Sequence, residues 1–305
     1  MSNKRTILLF VVLAYALAWI IWLALWLSGV GLNSPWSQLA SIVAMWMPAL
    51  AVFLLGKITN QPGGIKSKLV VNLKSNWRFY LLAIWLPAVI SFLGAGLYFL
   101  VFPSNFSLGF ESIQAILQEK GVSQSTIPLS FLALIQILAS LTYAPFLNSF
   151  FALGEEIGWR GYLYPALRGR FSIVQTHVLL ALIWSLWHLP INLQGYNYGI
   201  SYFAYPVLGV VAMFLFCFSL GILLSWLLEK TGSIWASALF HGAINATAGL
   251  GLLFQLPGEK VSILLILGPS PTGMLSVLPC LFLALLILQR ERSHYELVNS
   301  FRVSF

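Results

Sequence analysis

The stretch ILLFVVLAYALAWIIWLALWLSGV, residues 7–30, carries no charged side chain. A transmembrane helix needs about 20 consecutive apolar residues, so this run is long enough to cross a bilayer. Lys4 and Arg5 precede it, as basic residues precede the apolar region of a secretory signal, but that region has only about 7 to 15 residues. The run therefore predicts a first transmembrane helix rather than a cleaved signal.

Further apolar runs follow along the whole chain, which is 59% hydrophobic and only 8% charged. Together with the first run they give eight candidate spans: 7–30, 37–56, 79–102, 129–153 (with an extension to 167 left open), 173–191, 205–228, 234–254 and 261–288. We expect an all-α fold, a polytopic transmembrane helix bundle of about eight spans.

The spans divide the chain of 305 residues into three parts. Residues 1–128 hold the first three spans and their connecting loops, 129–254 hold the next four, and 255–305 hold the last span and a tail. No second, soluble domain fits between the apolar runs. The polar residues that interrupt apolar runs fall in the middle part, where we expect any chemistry.

The net charge is +8, from sixteen Lys and Arg against eight Glu and no Asp. In a soluble protein this excess could indicate a nucleic-acid partner, but here the basic residues lie between apolar runs. Short cytoplasmic loops of membrane proteins are rich in Lys and Arg. We therefore predict the lipid bilayer as a partner and no nucleic acid.

The same residues orient the chain. With the N-terminus in the cytoplasm, thirteen basic residues lie inside and two, Lys120 and Lys260, outside; Arg160 is left uncounted because the fourth span could extend past it. The thirteen are Lys4, Arg5, Lys57, Lys66, Lys68, Lys74, Arg78, Arg168, Arg170, Lys230, Arg290, Arg292 and Arg302. This predicts a multi-pass integral membrane protein with both termini cytoplasmic, in the plasma membrane if the chain is bacterial.

The two cysteines, Cys217 and Cys280, lie in separate apolar runs with no CxxC spacing. They support neither redox chemistry nor a zinc-thiolate site.

The segment GEEIGWRG, residues 154–161, places a quarter of the acidic residues at adjacent positions. An ionised side chain inside a bilayer costs at least about 2.5 kcal/mol, so each should have a partner or a function. On a helix Glu156 and Arg160 share a face and can pair, whereas Glu155 points about 100° away and is left to face something else. An ion pair that only locks two helices together would explain Glu156 and Arg160 but not Glu155.

The three glycines of this segment, Gly154, Gly158 and Gly161, form a small-residue surface. Such a surface lets a neighbouring helix approach closely. The glutamates are therefore predicted to lie in a packed region and not against lipid.

Two further segments carry histidines inside predicted spans. In LIWSLWHLP, Trp184 and His188 are four residues apart, and in ALFHGAINATAG, His241 and Asn245 have the same spacing. Each pair shares a helical face, and each could also be an ordinary hydrogen-bonded packing contact between helices.

If the bundle brings Glu155, His188 and His241 together, the site holds a base, a second group that binds water or carries a proton, and a polar stabiliser. If their helices run straight, the two histidines lie at different depths in the bilayer. His188 lies eighteen residues beyond Arg170, whereas His241 lies only seven beyond Ile234. A fourth span that breaks near Pro145 and runs on to Leu167 would reduce the difference, and so would a later start of the fifth helix. The sequence leaves this choice open.

These three motifs, EExxxR at Glu155 to Arg160, an aromatic followed by xxxH at Trp184 to His188, and HxxxN at His241 to Asn245, resemble those of the CPBP intramembrane proteases. That family includes the type II CAAX prenyl endopeptidases and bacterial bacteriocin-processing and self-immunity proteins. The resemblance covers about 141–249, so 129–254 would be the catalytic core. The second motif of the family usually begins with Phe, and Trp184 stands there instead.

The resemblance implies a glutamate-dependent peptidase in which Glu155 and His188 position and deprotonate water. It further implies that His241 and Asn245 stabilise the oxyanion and that Glu156 and Arg160 brace the site. The family is classed with the metalloproteases, and Glu155, His188 and His241 could hold a divalent ion such as zinc. A glutamate that ligates a metal is not free to act as the base, so the metal is left open.

The expected function is an intramembrane endopeptidase acting on a membrane-associated peptide or a lipidated protein, including prenylated CAAX-type substrates. The alternative is a non-catalytic scaffold that binds a peptide such as a bacteriocin or confers immunity to it. A small proton-coupled transporter is a third reading, but the two halves of the chain show no inverted repeat.

Overall fold

The computed structural model describes residues 4–60, 65–123, 125–258 and 264–303, with side chains up to residue 293. Helices make up nearly all of the regular structure, and within these ranges there is no strand, only an isolated bridge between Phe106 and Gln255. The α-helices are α1 (Lys4–Leu27), α2 (Pro35–Met45), α3 (Met47–Thr59), α4 (Leu73–Val101), α5 (Glu111–Glu119), α6 (Leu129–Leu141), α7 (Ala144–Glu156), α8 (Tyr164–Arg168), α9 (Ile173–Trp187), α10 (Leu189–Asn192), α11 (Val207–Thr231), α12 (Ile234–Thr247) and α13 (Leu278–Val303). The all-α helical bundle is therefore confirmed.

Among the described residues, five segments are long and apolar enough to cross a membrane: Lys4–Leu27, Pro35–Thr59, Leu73–Val101, Val207–Thr231 and Ile234–Phe254. A sixth results if α6 and the run Ala144–Arg168, which meet at 53°, form one broken span. These six correspond to six of the eight predicted spans. The protein is an integral membrane protein by this pattern.

The other two predicted spans differ. For 173–191, α9 ends at Trp187 after 15 residues, because the ring of Pro190 cannot continue the helical hydrogen bonding. For 261–288, α13 begins only at Leu278. Turns built around Gly268, Pro269, Pro271 and Gly273 precede it, and residues 261–263, like Lys260, lie outside the described residues.

The fourth predicted span has the break near Pro145 that was one of the two ways to match the depths of the three motifs. α6 ends at Leu141, and α7 begins at Ala144 with Pro145 in its first turn, where a proline is tolerated. The chain then runs through a π-helical segment, Ile157–Leu163, into α8, which ends at Arg168. The glutamates thus lie well inside a long helical run. The fifth helix starts no later than expected, because Ser172 and Gln175 form a capping box before Ile173.

Glycines allow the helices around the glutamates to pack closely, as predicted. A Cβ built on Gly154 would lie 2.6 Å from the carbonyl oxygen of Met45, and one on Gly158 would lie 2.4 Å from Cβ of Pro48. On the other side, a Cβ on Gly242 of α12 would lie 2.2 Å from the amide nitrogen of Ser149 in α7. α7 is therefore held between the α2–α3 pair and α12 with no room for larger side chains.

Candidate active site

Glu156 is the centre of a fully buried ion pair. Its Oε1 accepts hydrogen bonds from Nη1 of Arg160 at 3.2 Å and from Nδ1 of His241 at 2.8 Å. The side chains of Glu156 and Arg160 are 0% exposed. The predicted Glu156–Arg160 pair is thus present, and it also reaches across to His241 on α12.

Arg160 is stabilised by an aromatic ring as well as by Glu156. Its Cζ lies 4.3 Å from the centroid of the Trp184 ring, within the range of a cation–π interaction. No hydrogen-bond acceptor for its Nε and Nη2 occurs among the described residues. The indole face therefore supplies much of the polar environment that this buried cation has.

Glu155 faces a different environment, in which indoles replace charged partners. Its Oε2 accepts hydrogen bonds from Nε1 of Trp184 at 2.7 Å and from Nε1 of Trp159 at 3.2 Å. Within the described residues no group donates to its Oε1. One carboxylate oxygen is thus anchored and the other is free.

His188 directly follows α9 and has a defined tautomer. Its Nδ1 lies 2.9 Å from the carbonyl oxygen of Trp184. A carbonyl can only accept, so Nδ1 carries the hydrogen, and Nε2 of the neutral ring is an acceptor. The ring is half-buried and contacts the Trp187 ring edge-on at 4.8 Å.

His241 and Asn245 lie one turn apart on α12, as predicted, but they differ in exposure. His241 is buried and meets the Trp184 ring edge-on at 5.4 Å, whereas Asn245 is exposed. Within the described residues, the amide of Asn245 has no side-chain hydrogen bond. It is free to bind a ligand.

A cavity of about 350 Å³ brings these residues together. Glu155, His188, His241 and Asn245 all line its wall, and Glu156 and Arg160 do not. Polar side chains that the sequence analysis did not single out also line it: Ser37, Gln38, Ser41, Asn148, Tyr196, Asn197, Ser270 and Thr272. The six predicted site residues therefore divide into four on the cavity wall and two packed behind it.

Sequence reasoning missed Trp159 and the indole N–H of Trp184 as partners of Glu155. A signal for Trp159 was present, because it stands four residues after Glu155, the spacing that indicated the Glu156–Arg160 pair. No comparable signal exists for Trp184, because its contact with Glu155 joins two helices.

Lys68 was also missed as a contact of this region. Its Nζ donates to the carbonyl oxygen of Gly161 at 3.0 Å, within the π-helical segment Ile157–Leu163. Lys68 lies between spans, and burial lowers the pKa of its ammonium group. The loop between α3 and α4 thus anchors the turn that carries Arg160.

A second acidic cluster lies away from the cavity. The hydroxyl of Tyr164 donates to Oε1 of Glu229, and Glu291 on α13 lies next to Glu229. Burial first, and then the charge of Glu229 and a hydrogen bond to it, raise the pKa of Glu291 to about 7. Two carboxyl groups thus share a site where α8, α11 and α13 meet.

A metal site would need several ligating side chains close together. Among the described residues, no three His, Cys, Asp or Glu side chains lie close enough to one another to hold an ion. The Nε2 atoms of His188 and His241 are available as ligands, since Nδ1 of each is engaged. Glu155, His188 and His241 would have to move closer to ligate one ion, so in the arrangement described they do not fit a bound metal.

Comparison with known proteins gives two matches. Residues 124–247 match the family model described as Type II CAAX prenyl endopeptidase Rce1-like. The chain is also 27% identical to the CAAX prenyl protease 2 of Methanococcus maripaludis over an alignment of 178 residues. That alignment covers 50% of this chain and 66% of the relative, slightly less than two thirds of its length.

The family match spans all three motifs, from the glutamate pair on α7 to Asn245 on α12, and thus the four predicted site residues that line the cavity. Residues 124–247 are thus an Rce1-like segment, and this match, together with the archaeal relative, supports the CPBP family of intramembrane proteases for this chain.

Proposed function

We propose that this protein is an intramembrane endopeptidase of the type II CAAX class that hydrolyses a peptide bond with water activated by Glu155 and His188. The observation that supports this best is the shared cavity, whose wall carries Glu155, His188, His241 and Asn245 from three separate helical segments. Family membership supports the same reaction class.

The free atoms of Glu155 and His188 suit them to bind one water molecule. Oε1 of Glu155 and Nε2 of His188 are both acceptors, so a water between them would donate both of its hydrogens. Its oxygen lone pairs would then be free to attack a carbonyl carbon. Glu155 takes the proton as the water attacks and returns it to the leaving amine when the C–N bond breaks.

The oxyanion formed by the attack needs donors. The amide nitrogen of Asn245 is a donor in every protonation state of the protein. Because Nδ1 of His241 donates to Glu156, Nε2 of His241 donates to the oxyanion only when the ring is protonated.

Glu156 and Arg160 act as braces in this proposal. They contact no part of the cavity, but Glu156 fixes the position and tautomer of His241, and Arg160 holds Glu156. Removing one member of a buried pair of this kind strongly destabilises the protein, because an unpaired charge remains in the interior.

The substrate is proposed to be a membrane-associated peptide or a lipidated protein, with prenylated CAAX-type chains among the candidates. The cavity also has aromatic and aliphatic lining, including Trp22, Phe151, Phe216 and Ile244, which suits apolar side chains or a hydrocarbon chain. The relative named CAAX prenyl protease 2 supports this class.

The orientation of the chain completes the proposal. We place both termini in the cytoplasm, because Lys57, Lys66, Lys74 and Arg78 lie in or beside the α3–α4 connection and Lys230 lies in the last turn of α11. If the chain is bacterial, the membrane is the plasma membrane. Labelling of single cysteines introduced beside these residues, from either side of sealed vesicles, measures this directly.

Cleavage of a labelled peptide library by the purified protein tests the proposed function, with prenylated and unprenylated peptides compared. We expect the wild type to cut, Glu155→Ala to be inactive, and Glu119→Ala, which removes an exposed glutamate of α5, to retain full activity. Loss of cleavage on addition of a chelator, with recovery on addition of zinc, would establish a metal. A folded wild type that cuts nothing would overturn the proposal and favour a peptide-binding or immunity scaffold.

A further inference from the structure

Trp184 contacts four of the six predicted site residues. Its indole N–H binds Glu155, its backbone carbonyl accepts from His188, and its ring packs against Arg160 and against His241. The side chain is 1% exposed, so these contacts are made in a closed interior.

The hydrogen bonds to Glu155 are asymmetric in a way that matters for a base. Both indoles donate to Oε2, and no described residue donates to Oε1. A carboxylate with one oxygen held by two donors has a fixed torsion, and its second oxygen has a fixed direction. In this protein the second oxygen is Oε1 of Glu155, a side chain that lines the cavity.

The same residue also orients His188. The carbonyl of Trp184 keeps the hydrogen of His188 on Nδ1 and leaves Nε2 as the acceptor. Both acceptors proposed for the water are thus set by one residue, Glu155 through the side chain of Trp184 and His188 through its backbone. A Phe at this position, usual in the family, would supply the ring and the carbonyl but not the N–H.

We propose that Trp184, assisted by Trp159, is a positioning residue that holds Glu155 by one oxygen so that the other receives the proton of the attacking water. This inference rests on the proposed function for its catalytic meaning, while the contact itself can be measured without a substrate. The simpler reading is that Trp184 only fills space between α7 and α9.

Two replacements of Trp184 distinguish a positioning role from simple space filling. Trp184→Phe removes the N–H and part of the ring, while benzothienylalanine at position 184 exchanges the N–H for sulfur and keeps the size of the indole. We expect both to lower kcat about 10- to 100-fold, the range for one hydrogen bond to a charged group, with KM changed less than about 3-fold. Trp159→Phe should have a smaller effect, about 3- to 10-fold, because its bond to Glu155 is longer.

The matched control is Trp19→Phe. The indole N–H of Trp19 donates to a backbone carbonyl, that of Trp187, at 2.9 Å, and Trp19 does not line the cavity. Its replacement removes an interhelical indole hydrogen bond without touching Glu155, so kcat should stay within about 2-fold of the wild type.

Infrared difference spectroscopy provides the readout that needs no substrate. The carboxylate band of Glu155, identified as the one lost in Glu155→Gln, should shift in Trp184→Phe and in the benzothienylalanine protein, and should not shift in Trp19→Phe. An unchanged band would overturn the proposed contact. A shifted band with kcat unchanged in both Trp184 replacements would overturn the positioning role and leave the proposed peptidase standing.

If the protein is not a peptidase, the cleavage and infrared results combine differently. If the wild type cuts no peptide but the band shifts as expected, the indole contact is real, and its use in catalysis is overturned together with the peptidase.

Discussion

Glu155 and Glu156 are adjacent in the chain but belong to two different regions of the molecule. Glu156 lies in a packed interface, 0% exposed, between Arg160 of its own helical run and His241 of α12. Glu155 lines the cavity, and its partners are two neutral indoles. Two identical side chains on successive residues of a helix thus point into unlike surroundings, and the surroundings determine what each can do.

The difference shows how an ionisable group can be kept inside a membrane protein in two ways. In a permanent buried ion pair each charge compensates the other, so removing one member is costly, and the paired carboxylate has little capacity left for chemistry. Neutral N–H donors on one oxygen leave the other oxygen free. Substitutions on either side of this division test it.

Glu155→Gln should abolish cleavage while leaving the fold intact. The amide oxygen of glutamine can still accept the indole hydrogen bonds, but it cannot take a proton from water, so kcat should fall about 10²- to 10⁴-fold. The unfolding midpoint should stay close to that of the wild type. Activity above one tenth of the wild type would contradict the role of Glu155 as the base.

Glu156→Gln should affect stability first. It leaves Arg160, which is fully buried, without its carboxylate, and breaking such a pair costs about 3–5 kcal/mol of unfolding free energy. Denaturant unfolding in detergent measures the loss. The double variant Glu156→Gln/Arg160→Met, which removes both charges, should recover part of it, and no recovery would argue against the ion pair as the cause.

Asn245→Ala should slow cleavage with little effect on stability, since the side chain is exposed to the cavity and has no described partner. Loss of one oxyanion donor lowers kcat about 10²- to 10³-fold. Asn245→Asp keeps the size and removes the donor, so it should be slow as well. An Asp variant as fast as the wild type would exclude Asn245 as a donor.

Glu291→Gln should change how stability depends on pH, at a place far from the cavity. The folded pKa of Glu291 is about 7, above the ordinary value of 4.5, so its contribution to stability is fully present below about pH 4.5 and is lost as pH rises through 7. The variant should therefore flatten the decline of the unfolding midpoint between pH 5 and 8. At pH 8 we expect a rise of about 2 °C, since the group is partly exposed and its interaction with Glu229 is screened. An unchanged pH profile would contradict the pairing of the two carboxyl groups.

Much of this arrangement could be predicted from local spacing. The Glu156–Arg160 pair, the close packing at Gly154 and Gly158, and the shared face of His241 and Asn245 all follow from positions three or four residues apart on one helix. The order of the apolar runs was sufficient for the fold class. The break before α7 was one of two ways to match the depths of the three motifs, and the structure contains it.

The features that could not be predicted are those that join distant parts of the chain. The bond from Trp184 to Glu155 spans two helices, and Lys68 reaches Gly161 from a loop more than ninety residues earlier. The late start of α13 was missed for another reason, because hydropathy averages over turn residues such as Pro269 and Pro271 that have apolar neighbours. Periodicity along a single segment contains no information about which helices become neighbours.

The early end of α9 has a consequence for the lipid around the protein. A helix of 15 residues is about 22 Å long, while the hydrocarbon core is about 30 Å thick. A mismatch of this size is relieved by local thinning of the bilayer or by polar groups drawn into it. His188 stands at the end of this short helix, so a bilayer thinned to match α9 would bring the aqueous phase towards the residue proposed to bind the attacking water. Lipid chain length would then control the supply of a reactant as well as the fit of the protein.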